Sequence, residues 1–194
     1  FNTTETTSSG GSWNEKNPYA NAGNTWIDNT YTNNMTLSSS EANGNDGYGD
    51  ISYGLRLSED MTGLNFINNG SVIGIISSSG YGYGIYNAGG TITTLTNNGL
   101  ISGSSSTYLG YGLGNAGGTI TKLTNNGLIS GSDSGIGNAG GTITTLTNNG
   151  LISGSDFGID NEGGEITTLT NNGLISGSDT GIYNTGGTIE TLIN

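Results

Sequence analysis

The feature that most constrains this chain is a phrase that repeats in register. Asn-Asn-Gly-Leu-Ile-Ser-Gly-Ser begins at Asn97, Asn125, Asn148 and Asn171, and a weaker copy opens at Asn68. The spacings from Asn68 onward are 29, 28, 23 and 23 residues. The base unit is therefore 23 residues, and the first two units carry insertions of 6 and 5. Both insertions fall after Ile-Gly or Ile-Ser-Gly and before the next Asn-Ala-Gly-Gly. A chain with 38 Gly and one Pro among many Ser, Thr and Asn could be a flexible linker. A linker preserves composition but has no reason to preserve register, so the repeat predicts a folded array.

Each unit holds three short apolar or β-branched stretches, around Ile143 to Leu146, Leu151-Ile152 and Ile159 in one copy. Gly, Asn, Asp and Ser bound them, the residues that tolerate tight turns. From Leu146 the same-face positions run Asn148, Gly150, Ile152 and Gly154, a period of two that belongs to strands. No stretch carries helical periodicity. Three strands per 23 residues predict an all-β, right-handed, single-stranded parallel β-helix, with equivalent residues stacked about 4.8 Å apart. A single coil cannot bury its own apolar face, so the units must come as a run. Within the run, Ile120, Ile143, Ile166 and Ile189 stack as core beside Leu95, Leu123, Leu146, Leu169 and Leu192.

Composition excludes several functions. Fifteen acids against three bases give a net charge of −12, which leaves nothing to neutralise a run of phosphates and argues against nucleic acid as a partner. With no His and no Cys, the usual zinc sites, His-based triads and disulfides are out of reach. No apolar run approaches the roughly 20 residues of a membrane-spanning helix. No cofactor is expected.

The run Gly-Gly-Thr-Ile-Thr-Thr-Leu-Thr-Asn-Asn-Gly-Leu-Ile-Ser-Gly resembles the Gly-x-Ile-x-x-Leu-x-Asn-x-Gly-x-Ile-x-Gly repeats of bacterial autotransporter (type V secretion) passenger domains. The likeness is close over 84–194 and looser over 51–83. It implies export, display on the cell surface or release from it, and an adhesive role in contact with host cells. It also implies an outer-membrane β-barrel translocator in the full-length protein. The chain starts at Phe1 without a leader and stops mid-repeat at Asn194, so it reads as a passenger fragment.

Three regions are expected: an irregular or mobile arm over 1–25, irregular capping coils over 26–83, and the regular array over 84–194. Asn87, Asn115, Asn138, Asn161 and Asn184 each follow an inward apolar residue by two positions, which predicts a buried amide ladder. Asp133, Asp156 and Asp179 share one repeat position. They read first as turn residues capping their own backbone, with a calcium site or a glycosidase pair as the alternatives. Asn43 to Asp50 is a second oxygen-rich stretch, lacking the Glu of an EF-hand. Single-Asp turns supply few ligands, so no metal is expected. Outward Thr91/Thr93, Thr119/Thr121 and Thr142/Thr144 resemble the Thr-x-Thr ladders of ice-binding solenoids.

Aromatic residues concentrate at the insertions. Tyr81, Tyr83 and Tyr86 lie in or beside the first, and Tyr108 and Tyr111 lie in the second. Both insertions leave the coil at one position, so they should form a single protruding, tyrosine-rich patch. Tyrosines on a rigid scaffold are the usual material of recognition surfaces, although loops that only cover a sheet edge would use them too. The expected function is a non-enzymatic adhesin or display stalk. Tyr81, Tyr83, Tyr108 and Tyr111 would contact a host-cell glycan or surface protein, and self-association stays open. A carbohydrate-cleaving β-helix is the rival reading. It needs basic groups near its acids, and Lys16, Arg56 and Lys122 fall far apart in the register. No catalytic residue is assigned.

Overall fold

The computed structural model describes residues 25–27, 29–40, 44–45, 50–59, 62–77 and 79–194. The arm over 1–25 therefore lies outside the described residues except for Thr25, as does most of Asn43 to Asp50. The described chain is all-β and winds as a parallel β-helix with three sheets of eight, six and seven strands. The six-stranded sheet takes one strand from every coil.

The coils repeat one order of strands. In the fourth, Thr119–Asn125 lies in the first sheet, Leu128–Gly131 in the second and Ser134–Ala139 in the third. The fifth repeats it with Thr142–Asn148, Leu151–Ser153 and Phe157–Glu162. Register is kept residue for residue: Ile120 pairs Ile143, Leu123 pairs Leu146, Ile129 pairs Ile152 and Ile136 pairs Ile159. These side chains fill the interior and are fully buried. Burying each contributes roughly 1.5–3 kcal/mol. In the final coil, Ile175, Ile182 and Ile189 are partly buried and Leu192 is 55% exposed, because no further coil packs on them.

The other end departs from the parallel pattern. Thr25–Ile27 pairs antiparallel with Thr30–Asn33 at the edge of the first sheet. Gly44–Asn45 pairs antiparallel with Asp50–Ser58 at the edge of the third. Both short strands occupy backbone groups that an open edge would offer to another chain.

The corner between the third and first sheets explains the Gly-Gly pair. Its first glycine takes a left-handed backbone, with φ of 65° at Gly117, 63° at Gly140 and 64° at Gly163. A Cβ there would meet nothing, so the requirement is purely conformational. The second glycine is required for space. A Cβ on Gly118, Gly141 or Gly164 would strike the amide nitrogen of Asn87, Asn115 or Asn138.

Candidate functional site

Two ladders of buried asparagine amides run along the helix and hold its corners. In one, the Nδ2 of Asn87, Asn115, Asn138 and Asn161 donates to the Oδ1 of Asn115, Asn138, Asn161 and Asn184, at 2.8, 2.8, 2.7 and 2.7 Å. Each donor also reaches the carbonyl of the corner glycine, as Asn138 does to Gly141 at 3.1 Å. The first four amides are buried, whereas Asn184 in the last coil is exposed. The second ladder was not singled out from sequence. It runs Asn33, Asn68, Asn97, Asn125, Asn148, Asn171 and Asn194 at the turn from first to second sheet, with spacings of 2.8–2.9 Å. Its signal was present: the first Asn of each Asn-Asn-Gly follows an inward apolar residue by two, Phe66 in the first copy and Leu in the others. The next asparagine faces outward and forms a third, exposed ladder, as in Asn149 Nδ2 to Asn126 Oδ1 at 2.8 Å.

The Asp133, Asp156 and Asp179 series is not equivalent in space. Asp133 is 8% exposed and accepts a 2.7 Å hydrogen bond from the Ser134 hydroxyl, while Asp156 and Asp179 are exposed. Burial holds the Asp133 carboxyl above its ordinary range; the Ser134 bond opposes this, and Asp156 adds to it. The threonines at 91, 119 and 142 stack in register on the first sheet, with Glu165 continuing the column.

The tyrosines lie on the outer face of the third sheet, and most are not on protruding loops. The insertions lengthen strands: Gly80–Ala88 has nine residues where Phe157–Glu162 has six. Tyr81, Tyr83 and Tyr86 are in Gly80–Ala88, and Tyr111 is in Gly110–Ala116. The inserted residues extend because the preceding coil offers a nine-residue strand, Asp50–Ser58, whose Asp50, Ile51 and Tyr53 pair with Gly80, Tyr81 and Tyr83. Pairing satisfies backbone groups that a free loop would leave to water. Tyr108 alone occupies the turn and is 54% exposed.

The rings associate as one cluster. Tyr83 stacks on Tyr86 at 4.5 Å and 25°, and on Tyr111 at 5.4 Å and 13°. Tyr81 lies 6.3 Å from Tyr83 and 5.6 Å from Tyr108. The cluster depends on glycines in the next coil along. A Cβ on Gly114 would come within 2.5 Å of the Tyr83 ring, and one on Gly137 within 2.7 Å of the Tyr111 ring. Each ring therefore lies across a position where its neighbour has no side chain.

Beyond the rings the face opens into a groove of about 230 Å³. Tyr81, Tyr83, Tyr86, Leu109 and Tyr111 wall it, Gly114 and Gly137 contribute to its surface, and Asp160 and Glu162 also line it. It exists because one register position is irregular. The residue before each ladder asparagine is Tyr86, Gly114, Gly137, Asp160 and Tyr183 in successive coils. A second aromatic pair, Phe157 and Tyr183, stacks at 4.7 Å across the coils around Asp160.

The electrostatics follow from this wall of rings and acids. Burial holds the Tyr111 hydroxyl protonated well above the usual phenol range, and the charges of Asp133, Asp160, Tyr81 and Glu162 reinforce it. The Asp160 carboxyl is raised chiefly by burial, then by Glu162 and Asp133. Among the described residues, the buried side-chain oxygens without a hydrogen-bond partner are Asn87 Oδ1 and Asp160 Oδ1. The first marks the end of a ladder, because Leu57 stands where the preceding asparagine would donate. The second faces no such accident of repetition.

Comparison with known protein families, curated proteins and solved structures finds no match to this chain.

Proposed function

We propose that this chain is a non-enzymatic, adhesin-type module of a surface-displayed autotransporter passenger. Its recognition surface is the tyrosine face of the third sheet, and its partner is a host-cell glycan or surface protein. The observation that supports this is the convergence of Tyr81, Tyr83, Tyr108 and Tyr111, with Tyr86, into one ring cluster beside a groove. A β-helix repeats every exposed feature once per coil, so a specific site must arise where repetition breaks. Here the break supplies flat apolar area with hydroxyl tips, which suits both sugar rings and protein surfaces. The scaffold beneath is fixed by core packing and amide ladders, so little freedom is lost on binding.

The test is the fourfold variant Tyr81→Ser, Tyr83→Ser, Tyr108→Ser and Tyr111→Ser. Its far-ultraviolet circular dichroism should match the parent, while its binding to host cells and to a glycan array should fall. Binding at parental strength would place recognition on another face.

A further inference from the structure

The groove also carries information about the chemistry of its occupant. Its outward polar side chains are phenols and carboxylates; the amides of Asn115 and Asn138, which border it, are committed to the internal ladder. No described cationic residue lines it. Arg56 pairs with Tyr86 one coil before the groove, and Lys122 lies on the first sheet. Asp160 lines the groove, and its Oδ1 is buried without a donor. A desolvated carboxylate oxygen lacking a partner is costly, and a charged donor recovers the most. Flat aromatic rings next to carboxylates, with no cation among the described lining residues, attract a cation that is itself flat.

Size narrows the choice. At about 230 Å³ the groove falls below the range of roughly 300–1,000 Å³ typical of sites for drug-sized ligands. It suits a single long side chain. The net charge of −12 would steer a basic partner toward the chain from any direction.

We propose that the groove receives an arginine side chain of a basic partner protein, with the guanidinium at Asp160 and Glu162 and its plane against the tyrosine rings. This rests on the tyrosine face being the recognition surface. Arginine fits better than lysine because its fork matches carboxylates and its plane stacks on rings. It fits better than a neutral sugar because a sugar leaves the two carboxylates, Asp160 and Glu162, without a countercharge.

The test titrates the full chain, by calorimetry at low salt, with acetylated and amidated Gly-Gly-Arg-Gly-Gly and its citrulline counterpart. Citrulline keeps the shape and removes the charge. The arginine peptide should bind at least about tenfold more tightly, about 1.4 kcal/mol, because hydrogen bonds between charged groups are the stronger ones. D160N should bring arginine binding down to the citrulline level, with an unchanged circular dichroism spectrum. No arginine binding, citrulline binding within about twofold, or an unaffected D160N would each overturn the proposal. A third arm uses a neutral N-acetylglucosamine tetramer. If it alone binds, and the fourfold tyrosine variant loses it, arginine recognition is wrong and the tyrosine surface stands. If bound probes are indifferent to the tyrosines, both readings fall.

Discussion

Replacing Asn138 with Leu should be among the most damaging single changes in the helix, and the hydrogen bonds say by how much. Asn138 Nδ2 is the donor to Asn161 Oδ1, and Asn138 Oδ1 accepts from Asn115 Nδ2. After substitution Asn115 Nδ2 keeps the Gly118 carbonyl at 3.1 Å, so that amide is still satisfied. The Gly141 carbonyl keeps the backbone amide of Glu165 at 2.9 Å. Asn161 Oδ1 keeps nothing and is fully buried. One orphaned buried acceptor costs about 1–3 kcal/mol. Overpacking adds about 1–3 kcal/mol, because the Asn138 amide already fills the space against Gly164 that a branched Leu must share. The expected loss is about 2–6 kcal/mol, read from urea unfolding with an unchanged slope. Asn149→Ala is the control: it removes two bonds of the exposed outer ladder, to Asn126 and from Asn172, and should cost under about 0.5 kcal/mol. If the two variants unfold at the same urea concentration, buried amide stacking does not stabilise this helix and the reasoning fails.

Three further outcomes follow from the same geometry. Gly140→Ala should destabilise by about 1–2 kcal/mol, because its φ of 63° is left-handed and nothing else there would resist a Cβ; Gly140→Asn should recover part of that loss, and equal stability of all three would contradict the turn assignment. Gly141→Ala should cost more than Gly140→Ala, since its Cβ strikes the Asn115 amide, and the reverse order in urea unfolding would contradict the ladder. Burial raises the folded pKa of Asp160 and Asp133 above the ordinary 3.8, so their protonated forms favour the folded state. That contribution is present below the unfolded value and is lost as pH rises through the raised folded values. Melting temperature should therefore rise as pH is lowered from neutrality toward 4, and Asp160→Asn should flatten the rise; parallel profiles for parent and variant would show that Asp160 is not the source.

Much of the architecture was legible because a solenoid writes its register into the chain. The 23-residue period, the inward Ile and Leu and the amides at 87 to 184 follow from alternation and repetition alone. The ladder through Asn97, Asn125 and Asn148 obeys the same rule, but it sits inside the most repetitive phrase, where Asn-Asn-Gly reads first as a turn. The tyrosines were legible as a cluster and misjudged as loops. Sequence marks the inserted residues but does not reveal that Asp50–Ser58 is long enough to pair with Gly80–Ala88 along its whole length. The groove was hidden for a different reason. Its members come from separate coils, and several share only the place before the ladder asparagine, where Gly114, Gly137 and Asp160 look like ordinary turn residues.

The central claim is that recognition resides where repetition breaks, on the outer face of the third sheet. The most direct measurement is a map of backbone amide shifts in the isotopically labelled chain as the arginine peptide and the glycan are added in turn. The account predicts shifts confined to 81–86, 108–116, 134–139 and 157–162, centred on Tyr111 and Asp160. Shifts spread along the threonine columns of the first sheet, or at the open end of the last coil, would contradict it.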